Sequence, residues 1–145
     1  MVRALLLGVA CLAATACAAQ GAPTDCPQSA ADLPLEALYG HWEARIDGQA
    51  GVARIELSKH PDYAGVQGRI VRPGANGAPD RVARLAGDID DEGQLGIDES
   101  EDGHAISGVW SAQLEPGSCG RELRGTWRNA ADDSTHAVLL RKTDH

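Results

Sequence analysis

The densest run of metal-ligating side chains in this sequence is DIDDEGQLGIDE, residues 88–99. Counted as an EF-hand loop, it places Asp88, Asp90 and Glu92 at positions 1, 3 and 5, Gly93 at 6 and Glu99 at 12, the spacing that gathers oxygen ligands around Ca²⁺. The flanks do not supply the two helices such a loop needs: RVARLAG carries a glycine and SEDG stops any helix. A β-hairpin turning at Asp91-Glu92-Gly93, with Ile89, Leu95 and Ile97 pointing inward, accounts for the same residues without a metal. Calcium at Asp88, Asp90, Glu92 and Glu99 is therefore kept as an alternative, and no other cofactor is expected. Catalytic patterns are missing: His41, His60, His104, His136 and His145 form no H-E-x-x-H, and no G-x-S-x-G elbow occurs. No pair of carboxylates is marked by its spacing for general acid–base work, so the expectation is a protein that is not an enzyme.

The start of the chain bears on the compartment. Met-Val-Arg followed by thirteen uncharged residues, Ala4 to Ala16, reads as a secretory signal, being shorter than the roughly 20 apolar residues of a membrane span. ATAC, residues 14–17, resembles the lipobox of bacterial lipoproteins, which implies a signal over 1–16 and a lipid on Cys17; ordinary cleavage after Ala18 is the alternative. Either cut leaves Cys26 and Cys119 in an oxidising compartment, where a disulfide between them is expected. The sequence carries a net charge of −8, which argues against nucleic acid or an anionic membrane surface as partner.

The elements that would position these groups are strands. Residues 17–37 hold small residues and proline and read as a tether, with LPLEA forming one helical turn. From residue 38 onward the period is two. Trp42, Ala44 and Ile46 share a face, as do Ala53, Ile55 and Leu57, then Val66, Gly68 and Ile70, then Ala83, Leu85, Gly87 and Ile89. Leu95 and Ile97 follow, then Ile106, Gly108, Trp110, Ala112 and Leu114, then Leu123, Gly125 and Trp127, before a last strand THAVLLRK. Gly, Asp, Asn or Pro punctuates each gap. Eight short antiparallel strands with one apolar face predict an up-and-down β-barrel over residues 38–145, with a two-sheet sandwich as the alternative.

All three tryptophans stand two places after a glycine, at Gly40-x-Trp42, Gly108-x-Trp110 and Gly125-x-Trp127. Residues two apart in a strand share a face, so each pair sets an empty position beside a large one, a way to fill a narrow interior. A helical turn leading into Gly40-x-Trp42 on the first of eight meander strands, with Arg141 and Lys142 on the last, resembles the calycin superfamily of lipocalins, avidins and small periplasmic metalloprotease inhibitors. The resemblance implies that Trp42 closes the base of the barrel and that Arg141 or Lys142 packs across it; Trp110 and Trp127 are expected in the core by their shared phase with the apolar faces. The protease inhibitors match best in size, compartment and single disulfide.

The topology puts turns 2–3, 4–5 and 6–7 at one rim together with the Cys26–Cys119 disulfide, so Asp62, Asp91 and Glu92 are the candidate partner surface. The leading functional expectation is an exported, lipid-anchored binding protein of the cell envelope with a protein partner, such as a hydrolase that it inhibits. A lipocalin-like carrier of a small apolar molecule is the alternative, decided by whether the barrel interior is filled.

Overall fold

A computed structural model describes residues 26–144; the expected signal 1–16, Cys17 and the first part of the tether lie outside the described residues. Eight antiparallel strands follow one another in meander order: β1 (Gly40–Ile46), β2 (Ala53–Lys59), β3 (Val66–Arg72), β4 (Arg81–Ile89), β5 (Gln94–Ser100), β6 (Gly108–Leu114), β7 (Glu122–Asn129) and β8 (Thr135–Thr143). β8 pairs with β1, Trp42 opposite Lys142 and Ile46 opposite Val138, so the sheet closes into a barrel and the sandwich alternative falls. Closure leaves no edge strand exposed to pairing with another chain.

The period-two faces are the buried faces. Trp42, Ala44, Ile46, Ile55, Leu57, Ile70, Leu85, Leu95, Ile97, Trp110, Leu123, Trp127 and Leu140 all point into one continuous core. Ile106 is a correction: it was expected inward at the start of the sixth strand, but β6 begins at Gly108 and Ile106 sits 51 % exposed in the preceding loop. The alternation runs straight through that position, and the loop is fixed instead by hydrogen bonds. Asp102 Oδ1 accepts from the N–H groups of His104 and Ala105, and Ser100 Oγ donates to Ala105 O.

Two glycines show why the barrel interior needs them. A Cβ on Gly108 would stand 2.3 Å from Trp127 Nε1, so this glycine makes room for the indole of the neighbouring strand rather than for its own Trp110. A Cβ on Gly125 would stand 1.9 Å from the backbone oxygen of Ser111, so here the glycine permits adjacent strands to coil tightly together. Trp110 and Trp127 face each other directly across β6 and β7.

The tether is not the exposed segment that its composition predicts. From Cys26 it is pinned by the disulfide to Cys119, then forms two 3-10 turns, Ala30–Asp32 and Leu35–Leu38. Ala30 and Leu38 are fully buried, and Leu33, Leu35 and Tyr39 pack against the core. Burying Leu38 alone is worth about 1.5–3 kcal/mol, which a short apolar sprinkling in a polar segment suffices to supply. The turns lie across the end of the barrel where β2–β3, β4–β5 and β6–β7 connect: Gly93 abuts Ala31 and Gly120 abuts Leu33. That end is sealed.

At its base, Trp42 Nε1 donates to Leu38 O at 2.8 Å. The Lys142 ammonium lies 5.6 Å from the centre of the Trp42 ring and donates to Ala37 O. Arg141 does not take the base-closing role: its side chain points outward and pairs with Glu122 at 2.9 Å. Strand parity decides between the two, since Leu140 and Lys142 share the inward phase and Arg141 does not.

Candidate functional site

The opposite end of the barrel carries the unexpected chemistry. Continuing β3 by one inward step from Ile70 reaches Arg72, and continuing β5 from Ile97 reaches Glu99. Both side chains are buried, 7 % and 1 % exposed, and they pair end to end: Arg72 Nη1 donates to Glu99 Oε1 at 2.6 Å and Nη2 to Oε2 at 2.8 Å. Glu99 Oε2 also accepts the indole N–H groups of Trp110 at 2.8 Å and Trp127 at 3.1 Å. The guanidinium carbon lies 5.1 Å from the Trp127 ring centre and 5.8 Å from that of Trp110. A carboxylate with four donors is compensated in a low-dielectric interior, and a planar cation stacked on two indoles loses little by leaving water.

One nitrogen of this assembly has no partner at all. Arg72 Nε is buried and has no hydrogen-bond partner. Nη1 and Nη2 are both turned to Glu99, so the Nε–H faces out of the pair on the flank of the guanidinium. Leaving it unsatisfied costs about 1–3 kcal/mol.

Arg72 also lines a hollow of about 390 Å³ at this mouth. Its inner wall is small and apolar, Ala44, Ile46 and Ala53, and its outer wall comes from Gln49–Gly51 and from the Pro73–Pro79 loop. The two charged residues on the lining are Arg72 and Arg81, in a chain with a net charge of −8. Arg81 reaches Glu101 at 2.5 Å on the rim. A second hollow of about 320 Å³ adjoins it, lined by Arg81, Glu99, Glu101, Trp127 and the exposed Ile106. Small residues on the inner faces of β1 and β2 leave this space, whereas tryptophans fill the facing side.

The residues singled out by spacing are dispersed by the fold. β4 and β5 form the hairpin, with Asp88 opposite Gly96 and Ile89 opposite Leu95. Asp90 Oδ1 accepts the N–H groups of Glu92 and Gln94, at 3.1 and 2.8 Å, and so serves the turn. Glu99 lies five strand residues beyond Gln94, about 17 Å away at roughly 3.4 Å per residue, and is spent on Arg72. Asp88, Asp90, Glu92 and Glu99 therefore do not converge. Among the described residues no group of three or more His, Cys, Asp or Glu side chains is placed to hold a metal ion.

Asp62, Asp91 and Glu92 are exposed at the sealed end. Asp91 borders a crevice against the tether residues Ala30, Leu33 and Leu35. Tyr63, beside them, stacks on His60 with ring centres 3.9 Å apart, and burial, then the charges of Asp88 and Asp98, push its phenol pKa up. The tether occupies the middle of this rim, so the acidic residues form a border around it.

Arg72 and Glu99 are not among the residues expected in the core, the inward face of the third strand being read as Val66, Gly68 and Ile70 and Glu99 being read as a candidate calcium ligand. The signal was present: both stand in phase with the apolar residues two and four places before them. No protein-family model matches the chain, and no curated protein matches it in sequence.

Proposed function

We propose that this chain is an exported, lipid-anchored binding protein of the cell envelope that takes a small amphipathic molecule into the open mouth of its barrel and carries out no chemistry on it. The observation that carries the reading is the hollow of about 390 Å³, with apolar walls and the buried Arg72 on its lining. Its volume falls in the range of about 300–1,000 Å³ of small-molecule sites, which combine apolar walls with a few placed polar groups. The fold agrees with this polarity. The disulfide and the described part of the tether lie at the end opposite the mouth, so an anchor at Cys17, nine residues before Cys26, would join the barrel from that side and leave the mouth free. The calycin likeness supports it too, with Trp42 and Lys142 in the roles of base-closing tryptophan and basic partner.

A protein partner, such as an envelope hydrolase, is the second reading, and one observation favours it at the mouth rather than at the Asp62, Asp91 and Glu92 rim. Val82 and Ile106, 53 % and 51 % exposed, both stand at the mouth end. Exposed apolar side chains flanking a hollow suit a protein contact.

The test is native mass spectrometry of the mature protein purified from its own envelope, set against its denatured mass so that a lipid on Cys17 cancels. A native excess that Ala50→Phe, on the exposed lining of the hollow, removes is the expected result. A bare native mass, with a protein co-purifying unless Val82 and Ile106 are replaced by serine, would transfer the function to the second reading.

A further inference from the structure

The charge balance at the mouth narrows the ligand class, on the premise that the hollow is a small-molecule site. Arg72 does not offer a free positive charge, because Glu99 neutralises it through two short hydrogen bonds. Arg81 at the rim is likewise paired, with Glu101. A carboxylate or phosphate brought to this floor would gain no uncompensated cation and would sit near the Glu99 carboxylate. What the floor lacks is an acceptor for the one guanidinium nitrogen, Nε, that has no partner at all. We infer that the hollow takes a neutral molecule with an apolar body and one carbonyl-type oxygen, and that this oxygen accepts the orphan Nε–H of Arg72.

The geometry of guanidinium supports the division of labour. End-on pairing with Glu99 uses the terminal nitrogens only and leaves Nε–H to one side, in the same plane. Nε is closed to solvent as the residue stands, so the acceptor reaches it by a small turn of the guanidinium flank toward the space that Arg72 already lines. Nε, Cζ and both Nη atoms form one rigid plane, so the turn carries the Glu99 pair and the contact with Trp127 along with it. Ala44, Ile46 and Ala53 then receive the apolar body, in the space left where Ala44 and Ala53 stand across from Trp110 and Trp127 of β6 and β7.

The experiment is an NMR titration of the mature, disulfide-bonded protein with three probes of one shape: cyclohexanecarboxamide, cyclohexanecarboxylate and methylcyclohexane. The arginine Nε–H and tryptophan indole N–H resonances report the site directly, and Arg72→Lys identifies the Arg72 signal while removing the Nε donor. The amide is expected to bind at least about tenfold more tightly than either other probe, the worth of one well-made buried hydrogen bond. It should shift Arg72 Nε–H and leave the Trp42 indole still. Ala50→Phe should abolish binding of all three, and Arg72→Lys should bring the amide down to the alkane.

Equal binding of amide and alkane, as when a water keeps Nε, overturns the inference, and so does tighter binding of the carboxylate; both leave the small-molecule reading standing. Binding of none of the probes, or binding indifferent to Ala50→Phe, sinks the small-molecule reading and the inference with it. If Arg72→Lys fails to fold, the amide-to-alkane ratio in the unaltered protein decides alone.

Discussion

Each end of this barrel buries a basic side chain against tryptophan, and the two solutions differ. At the sealed end Lys142 lies over Trp42, half-buried, and its ammonium donates to the carbonyl of Ala37. At the mouth Arg72 lies against Trp127 and Trp110, almost wholly buried, and meets a full carboxylate. A lysine can remain near water at a barrel base, with its stem on the ring and its head on a carbonyl. An arginine cannot shed its proton, so deep burial demands a counter-charge. Covering one end with a tether and leaving the other open thus go with two electrostatic designs, and the open end is the one with a fixed, fully formed ion pair beneath a hollow.

The sharpest way to break this comparison is to remove the counter-charge. Glu99→Ala leaves Arg72 buried without a partner and strips the acceptor from two indole N–H groups. A loss of about 3–5 kcal/mol in denaturant-induced unfolding is expected, as for other half-broken buried pairs. Replacing both members, Arg72→Met with Glu99→Leu, should recover a large part of that loss, because it removes the uncompensated charge and leaves only the indoles unsatisfied. A double variant no better than Glu99→Ala would mean that the indole bonds, not the ion pair, hold this end.

The sealed end depends on a covalent link instead. Closing a loop of 93 residues, Cys26–Cys119 is worth about 4–5 kcal/mol by chain entropy, and about 2–5 kcal/mol is the usual loss when such a bond is removed. Cys26→Ser with Cys119→Ser is expected to lower stability by that amount while the mouth keeps its probe binding, because none of the described tether residues lines the hollow. Loss of binding in the folded variant would show that the two ends are coupled through the core.

How the sequence relates to this structure differs between the two ends as well. The barrel, its strand order and its disulfide were legible because period two, turn residues and an even pair of cysteines are local signals. The docking of the tether was not, since Ala30, Leu33 and Leu38 follow no repeat and gain burial only from turns brought together by closure. Ile106 shows the reverse failure, an alternating pattern that a loop of Asp102 and Ser100 hydrogen bonds overrides. The DIDDEGQLGIDE spacing misled for a related reason. A strand advances about 3.4 Å per residue toward the far end of the barrel, so residues that a loop would gather, Asp90 and Glu99, are separated, and Glu99 finds Arg72 27 residues away in sequence. That pairing rests on register alone, and no local pattern names the partner.

Titration sharpens the contrast at its finest scale. Burial, reinforced by the nearby charge of Arg121 and opposed by Asp144, pulls the Lys142 pKa below 10.5. A lowered pKa in a lysine means that the folded state disfavours the charged form. Between the folded value and 10.5 the unfolded chain binds more protons, so stability rises with pH over that window. The contribution is fully present above 10.5 and lost as pH falls through the folded value. Measured as the difference in unfolding free energy between the unaltered protein and Lys142→Met, which removes the common background of tyrosine ionisation, the gap is expected to move in favour of the lysine protein as the solution becomes alkaline. A flat Lys142 curve would place its ammonium in water, not over Trp42, and the base would then be closed by the tryptophan and the tether alone.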